Sequence, residues 1–180
     1  TFNKASELLN EYEIGQARHE IDDLFWKDFC DYYIEIVKSR LYELEIHGYE
    51  ERRSAQYALY YSLLGILKMY AIYVPHITDY IYGEFFRKHE KVVSIHLLQW
   101  QIISDIDKSI LLFGEELKNA IFSMRKYKSE NNLSMRSEMD TLIVEHSPQF
   151  SDWFRQSEKD LKSCAKAKKV SFTQAGSPKN

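Results

Sequence analysis

The strongest constraint on this chain is the spacing of its apolar residues, which keeps a helical period through three long stretches. From Gln16 to about Glu43 they recur as Ile21, Phe25, Phe29, Tyr32 and Ile36, with Trp26, Tyr33 and Val37 widening the face. Asp23, Lys27, Asp31, Glu35 and Lys38 fall on the other side, so the stretch reads as a helix of several turns that buries a broad stripe. A second stretch, from about Glu51 to Tyr73, directs Tyr57, Tyr60, Tyr61, Leu64, Leu67 and Ala71 inward. In the third, Ser104 can cap a helix with Asp105 and Asp107 favourable in its first turn. This helix carries Ile106, Ile110, Phe113, Leu117, Ile121 and Met124 and ends around Asn131-Asn132.

The punctuation between these stretches is sparse. Phe2–Asn10 is a short helical segment interrupted near Tyr12–Gly15, and His47-Gly48-Tyr49 breaks the chain after the first long helix. Val74-Pro75 stops the second, and Pro75 suits the first turn of a further helix through Ile77, Tyr80, Ile81 and Phe85. Arg87–Trp100 loses the helical period, with Val92–Leu98 read as loop or a short strand. After residue 132 the character changes. Thr141–Glu145 and Lys169–Thr173 are β-prone and flank an amphipathic helix over Phe150–Lys166, so a β–α–β tail follows a mostly helical body. Ala175–Asn180 reads as a frayed end.

With only three prolines and six glycines among 180 residues, a β-sandwich or loop-rich fold is excluded, and 44% hydrophobic content fits a soluble globular domain. Thirteen tyrosines and ten phenylalanines imply an aromatic core. No apolar run approaches the roughly 20 residues of a membrane span, and no signal peptide is expected. The first residues already carry a helical pattern, so the expectation is a piece of a longer protein. Cys30 and Cys164 stand far apart without a CxxC, which favours two reduced thiols in a cytoplasmic setting. The net charge of −3 conceals an asymmetry. Residues 1–50 hold five Lys/Arg against twelve Asp/Glu, whereas 101–180 hold thirteen against eleven. Polyanions would therefore be drawn to local patches in the later parts.

Little in the chain points to catalysis. The six histidines form no HxxxH or HExxH pair, and neither a P-loop nor a GxGxxG is present, so no catalytic, metal or cofactor residue is assigned. Asp22-Asp23 and Glu115-Glu116 are adjacent and diverge around a helix. Cys30 reads as a small apolar filler. Two basic features are left. Arg125-Lys126-Tyr127-Lys128, followed by Arg136, combines cations with an aromatic ring; it fits RNA phosphate contact, or equally a helix C-terminus that favours cations. Lys159, Lys162, Lys166, Lys168 and Lys169 form a second strip that a solvated helix face explains as well.

Phe29-Cys30-Asp31-Tyr32-Tyr33-Ile34-Glu35, preceded by Phe25-Trp26, is similar to the Phe-Cys-Asp-Trp-Tyr-(Ile/Leu)-Glu helix of valyl-tRNA synthetases. Isoleucyl enzymes carry a Ser-x-Trp-Tyr version there, so the Cys-Asp pair favours valine. Ala71–Tyr82 resembles the Ala-Pro-Phe-x-Pro-Phe-x-Thr-Glu-Glu segment of class I synthetases, with Ile72 in place of the first proline and Asp79-Tyr80 in place of the glutamates. Ser94-Ile95-His96 to Trp100 resembles the element that closes their helical domain, with Gln101 where a proline is usual. Arg125–Met135 is similar to the basic element that follows. The four motifs occur in the family's order over nearly the whole chain.

The resemblance implies a mainly α fold: an N-terminally truncated anticodon-binding helical bundle over 1–132, a small α/β subdomain over 133–174 and a disordered tail over 175–180. The parent enzyme would activate valine with ATP and Mg²⁺ and transfer it to tRNA(Val). Its HIGH and KMSKS motifs and its editing domain are not in this chain. The fragment would hold no cofactor itself and would bind the tRNA(Val) anticodon stem-loop as a cytoplasmic monomer, with neither DNA nor membrane as a partner. Lys38, Arg40, Arg125, Lys126, Lys128 and Arg136 are the expected RNA contacts, with Tyr127 as a stacking ring. A helical protein-interaction module, or the same region of an isoleucyl- or leucyl-tRNA synthetase, stays open as an alternative.

Overall fold

The computed structural model describes residues 1–100 and 104–174; the tail expected to be disordered and Gln101 lie outside the described residues. The elements follow the order α1 (Phe2–Asn10), α2 (Ile14–Asp23), a π-helical stretch (Leu24–Tyr33), α3 (Ile34–Tyr42), α4 (Leu44–Tyr70), α5 (Pro75–Phe85), α6 (Arg87–Glu90), α7 (Lys108–Glu130), β1 (Met139–His146), α8 (Ser151–Gln156), α9 (Glu158–Ala165) and β2 (Ala167–Gln174). The fold is mainly α, as the apolar spacing requires. Packing divides it differently from the composition change at residue 132. One unit comprises Thr1–Ile34 and Arg53–Ile106; the other comprises Glu35–Arg52 and the residues from Asp107 on.

In the first unit, α1 packs along α2, and Ala5, Ile21, Phe29, Ile66 and Met69 form a core. Leu24–Tyr33 winds with i→i+5 hydrogen bonds, and residues four apart along it lie on nearly the same side, as they do in an α-helix. Phe25, Phe29 and Tyr33 stack in consequence, with ring centroids 6.4 and 5.9 Å apart. A second cluster joins Leu64, Leu67, Ala71, Tyr82, Phe86 and Ile95. Packing sets the buried sides of α4 and α5. Leu64, Leu67 and Ala71 are buried as expected, whereas Tyr57 and Tyr61, also expected inward, are 66% and 51% exposed, because from Tyr57 on α4 is apolar almost all round and Ile66 and Met69 are buried in their place. On α5 the buried side is Thr78 and Tyr82, while Ile77, Tyr80 and Phe85 are exposed. Hydroxyl satisfaction decides this second case. Tyr82 donates to the Val92 carbonyl at 2.9 Å, and Thr78 donates to the Val74 carbonyl at 2.9 Å, so both polar tips can be buried.

Residues 92–98 form a loop with one short 3₁₀ turn, not a strand. Asp79 fastens it by accepting from Ser94 Oγ at 2.7 Å and from the Ile95 N–H at 3.0 Å.

In the second unit, α3 is followed by α4, whose first turn breaks at Gly48 with φ 75° and ψ 175°. That left-handed φ is open to glycine at little cost, so the His47-Gly48-Tyr49 break is explained by its central residue. The third long helix starts at Lys108, not Ser104. Asp107 is its cap, accepting from the Ser109 N–H at 2.8 Å, and Ile106 and Ile110 are exposed ahead of the packed part. Phe113 begins that part, lying edge-on to Trp153 and Phe154 at 5.3 and 5.2 Å. The β–α–β tail is present: β1 and β2 run parallel from Met139↔Ala167 to His146↔Gln174. Its single expected helix is two, α8 and α9, separated at the buried Ser157.

Candidate nucleic-acid interface

All seven residues singled out for RNA contact belong to the second unit. They do not share one surface. Arg125-Lys126-Tyr127-Lys128 occupies four successive positions near the end of α7, and at 3.6 residues per turn each points about 100° from the last. Lys126 is exposed, 3.9 Å from Glu130, and the Tyr127 ring is exposed over a groove between α7 and β1. Arg125 is half-buried near Cys164, where its charge partly offsets the burial that pushes that thiol up to about 11.

Lys128 is a correction to the expected RNA set. Its side chain is fully buried, and its Nζ donates to the carbonyls of Met135 at 3.1 Å, Ser137 at 2.8 Å and Ala165 at 2.8 Å. An ammonium has three protons to donate, and all three are used within the protein. Burial, with Lys166 nearby, lowers its pKa. No phosphate reaches such a group.

Arg40 is also committed internally. Its Nε donates to Asp160 Oδ1 at 2.9 Å while Nη2 donates to Oδ2, a bidentate fork on a carboxylate that is 3% exposed. Lys38 is exposed on α3 and paired with Glu35. Arg136 is exposed in the turn after α7, where its N–H donates to Ser134 Oγ at 3.2 Å. The structure therefore leaves Lys126 and Tyr127, near the C-terminal end of α7, and Arg136, in the turn after it, exposed, and turns Arg40 and Lys128 to the fold.

The second basic strip is partly gathered. Lys159, Lys162, Lys166 and Lys168 line a groove of about 600 Å³ with Glu43, Glu138 and Glu158. Lys159 is bound to Glu51 at 2.9 Å and Lys168 to Asp140 at 2.8 Å, so five carboxylates answer four ammonium groups. This groove is charge-balanced and draws no anion by its field.

Sequence reasoning missed the network that holds α9. His47 is buried, its Nδ1 lies 2.5 Å from Glu51 Oε2, and Glu51 Oε1 takes the Lys159 ammonium. That lysine bond, with His47 assisting, holds the Glu51 carboxyl below its ordinary range. The i,i+4 spacing of His47 and Glu51 was the available signal; the partner 108 residues on left none. Among the described residues no group of three His, Cys, Asp or Glu is placed to hold a metal ion, and no helix is long and apolar enough to cross a membrane.

Residues 1–145 match the family described as anticodon-binding domain of tRNA ligase. The valine–tRNA ligase of Orientia tsutsugamushi (strain Boryong) is 36% identical over 165 residues, covering 89% of this chain and 19% of that protein. That of Rickettsia akari (strain Hartford) is 32% identical over 179 residues, 97% of this chain and 21% of the relative. The archaeal valine–tRNA ligase of Thermococcus kodakarensis is 31% identical over 142 residues, 78% and 16% of the two chains. The chain thus spans between 16% and 21% of the length of these curated relatives.

Proposed function

Because the chain belongs to the family of the anticodon-binding domain of tRNA ligases, we propose that it is the part of a valine–tRNA ligase that receives the anticodon stem-loop of tRNA(Val). The observation that carries this reading is the family match over residues 1–145. Relatives named for valine, together with Cys30-Asp31 in the aromatic helix, favour valine over isoleucine or leucine. The family match also outweighs the reading as a protein-interaction module without RNA.

In this proposal the chain contributes affinity and positioning, not bond making. Lys126 and Arg136 neutralise phosphates and release counterions, and the exposed Tyr127 ring offers a face on which an unpaired base stacks. Lys38 adds a weaker contact, since Glu35 competes for it. Arg40 and Lys128 act through the fold that presents these groups. Valine activation, with its ATP and Mg²⁺, belongs to other segments of the longer protein, which acts in the cytoplasm as a monomer.

Charge reversal tests the reading. In the full ligase, Lys126→Glu with Arg136→Glu should weaken tRNA(Val) binding and flatten the dependence of log Kd on log salt by about 1.4, two single-strand phosphate contacts. Binding with unchanged affinity and slope removes this end of α7 from the interface.

A further inference from the structure

The Lys128 ammonium is buried without a carboxylate beside it. A charge taken out of water is costly unless its new environment answers it. Here the answer is three backbone carbonyls. Two of them, Met135 and Ser137, belong to the residues on either side of Arg136. The third, Ala165, is the last residue of α9, where helix carbonyls carry partial negative charge.

We infer that Lys128 is a positioning residue for the RNA contact at Arg136, its ammonium serving as a built-in cation that clamps the backbone on both sides of that arginine. The inference rests on the anticodon-binding reading and deepens it. Other bonds of the same turn agree with the clamp. The Leu133 N–H donates to the Lys128 carbonyl at 2.8 Å, and the Ser137 N–H donates to the Ser134 carbonyl at 2.9 Å. Asn132 sits at φ 54° to complete the reversal. With both flanking carbonyls drawn to one buried point, Arg136 is left exposed with a defined backbone. A flexible turn would have to be ordered on binding, and because one phosphate contact returns too little to cover that cost, the contact is not made once the clamp is lost.

The salt dependence of binding separates positioning from general stability. Lys128 is inaccessible and releases no counterion itself, so a variant that is merely less folded lowers the active fraction and leaves the slope unchanged. In the full ligase, Lys128→Gln, which offers two protons to three acceptors, should flatten the salt slope for tRNA(Val) by the same ~0.7 as Arg136→Ala. The double variant should lose no more than either alone. A second perturbation retains both residues: one glycine inserted between Ser134 and Met135 moves the two carbonyls off the ammonium and should give the same loss. The inference is overturned if folded Lys128→Gln keeps the wild-type slope, if the double variant loses the sum, or if the insertion has no effect. An Arg136→Ala variant that binds as wild type removes Arg136 from the interface and takes the inference with it. When only Lys128→Gln and the insertion are silent, the interface stands and the clamp alone fails.

Discussion

Replacing Arg40 by alanine takes a two-pronged donor from a carboxylate that water hardly reaches. Asp160 is 3% exposed, and its two oxygens accept from Nε and Nη2 of the same guanidinium. Breaking a fully buried pair from one side costs about 3–5 kcal/mol, because the remaining charge has no partner. The Arg40 side chain is 30% exposed, so water can enter where it stood, and a cost of about 2–3 kcal/mol is expected after that discount. The loss should concentrate in α9, which bears Asp160. Amides of residues 158–165 should then exchange with solvent deuterium about 30 to 150 times faster, at 1.4 kcal/mol per tenfold, read peptide by peptide in the full protein. Arg40→Met with Asp160→Leu, which replaces both charges by apolar groups, should recover most of the protection. Exchange within threefold of wild type in Arg40→Ala would refute the idea that this fork holds α9, and would return Arg40 to the set of RNA contacts.

Two further outcomes are expected. Burial, reinforced by the Asp160 carboxylate, pushes the Cys164 thiol up to about 11, so thiolate appears only as pH rises toward that value. At pH 8 about one such thiol in a thousand is ionised, and iodoacetamide should modify Cys164 in the folded protein about a hundredfold more slowly than an ordinary cysteine. Labelling at the ordinary rate, read by mass spectrometry, would contradict a raised thiol at this half-buried position. Asp79 accepts from Ser94 Oγ and the Ile95 N–H, which hold its carboxyl below its usual range. A depressed carboxylate contributes stability above its unfolded pKa and loses it as pH falls through the folded value. Asp79→Ala should therefore cost about 1 kcal/mol at neutral pH. The cost should vanish in acid, and protection of the Ile95 amide that is insensitive to the substitution would count against this cap.

Much of this protein was legible from residues alone. Helical spacing marked the long helices, Gly48 and Pro75 marked their breaks, and alternating β-prone runs marked β1 and β2. The ordered aromatic motifs pointed to the family. The local pattern failed where a choice depended on neighbours distant in sequence. Tyr57 and Tyr61 sit on the half of α4 that is apolar nearly all round, so its period could not choose a face. Thr78 and Tyr82 are inside because Val74 and Val92 carbonyls accept their hydroxyl protons. The basic run is a simpler case: adjacent residues diverge around a helix, so Arg125–Lys128 spread over several sides of α7 just as the adjacent acidic pairs do.

Composition, period and motif order by themselves determined the class of the fold, its helical and β segments and its likeness to tRNA synthetases, because each depends on residues a few positions apart. Tertiary structure alone decided which cations face solvent. Arg40 meets Asp160 across 120 positions, and Lys128 meets Ala165 across 37. A charged side chain reads the same in sequence whether it awaits a phosphate or satisfies a buried carbonyl. The difference is desolvation, and only the packed chain sets that.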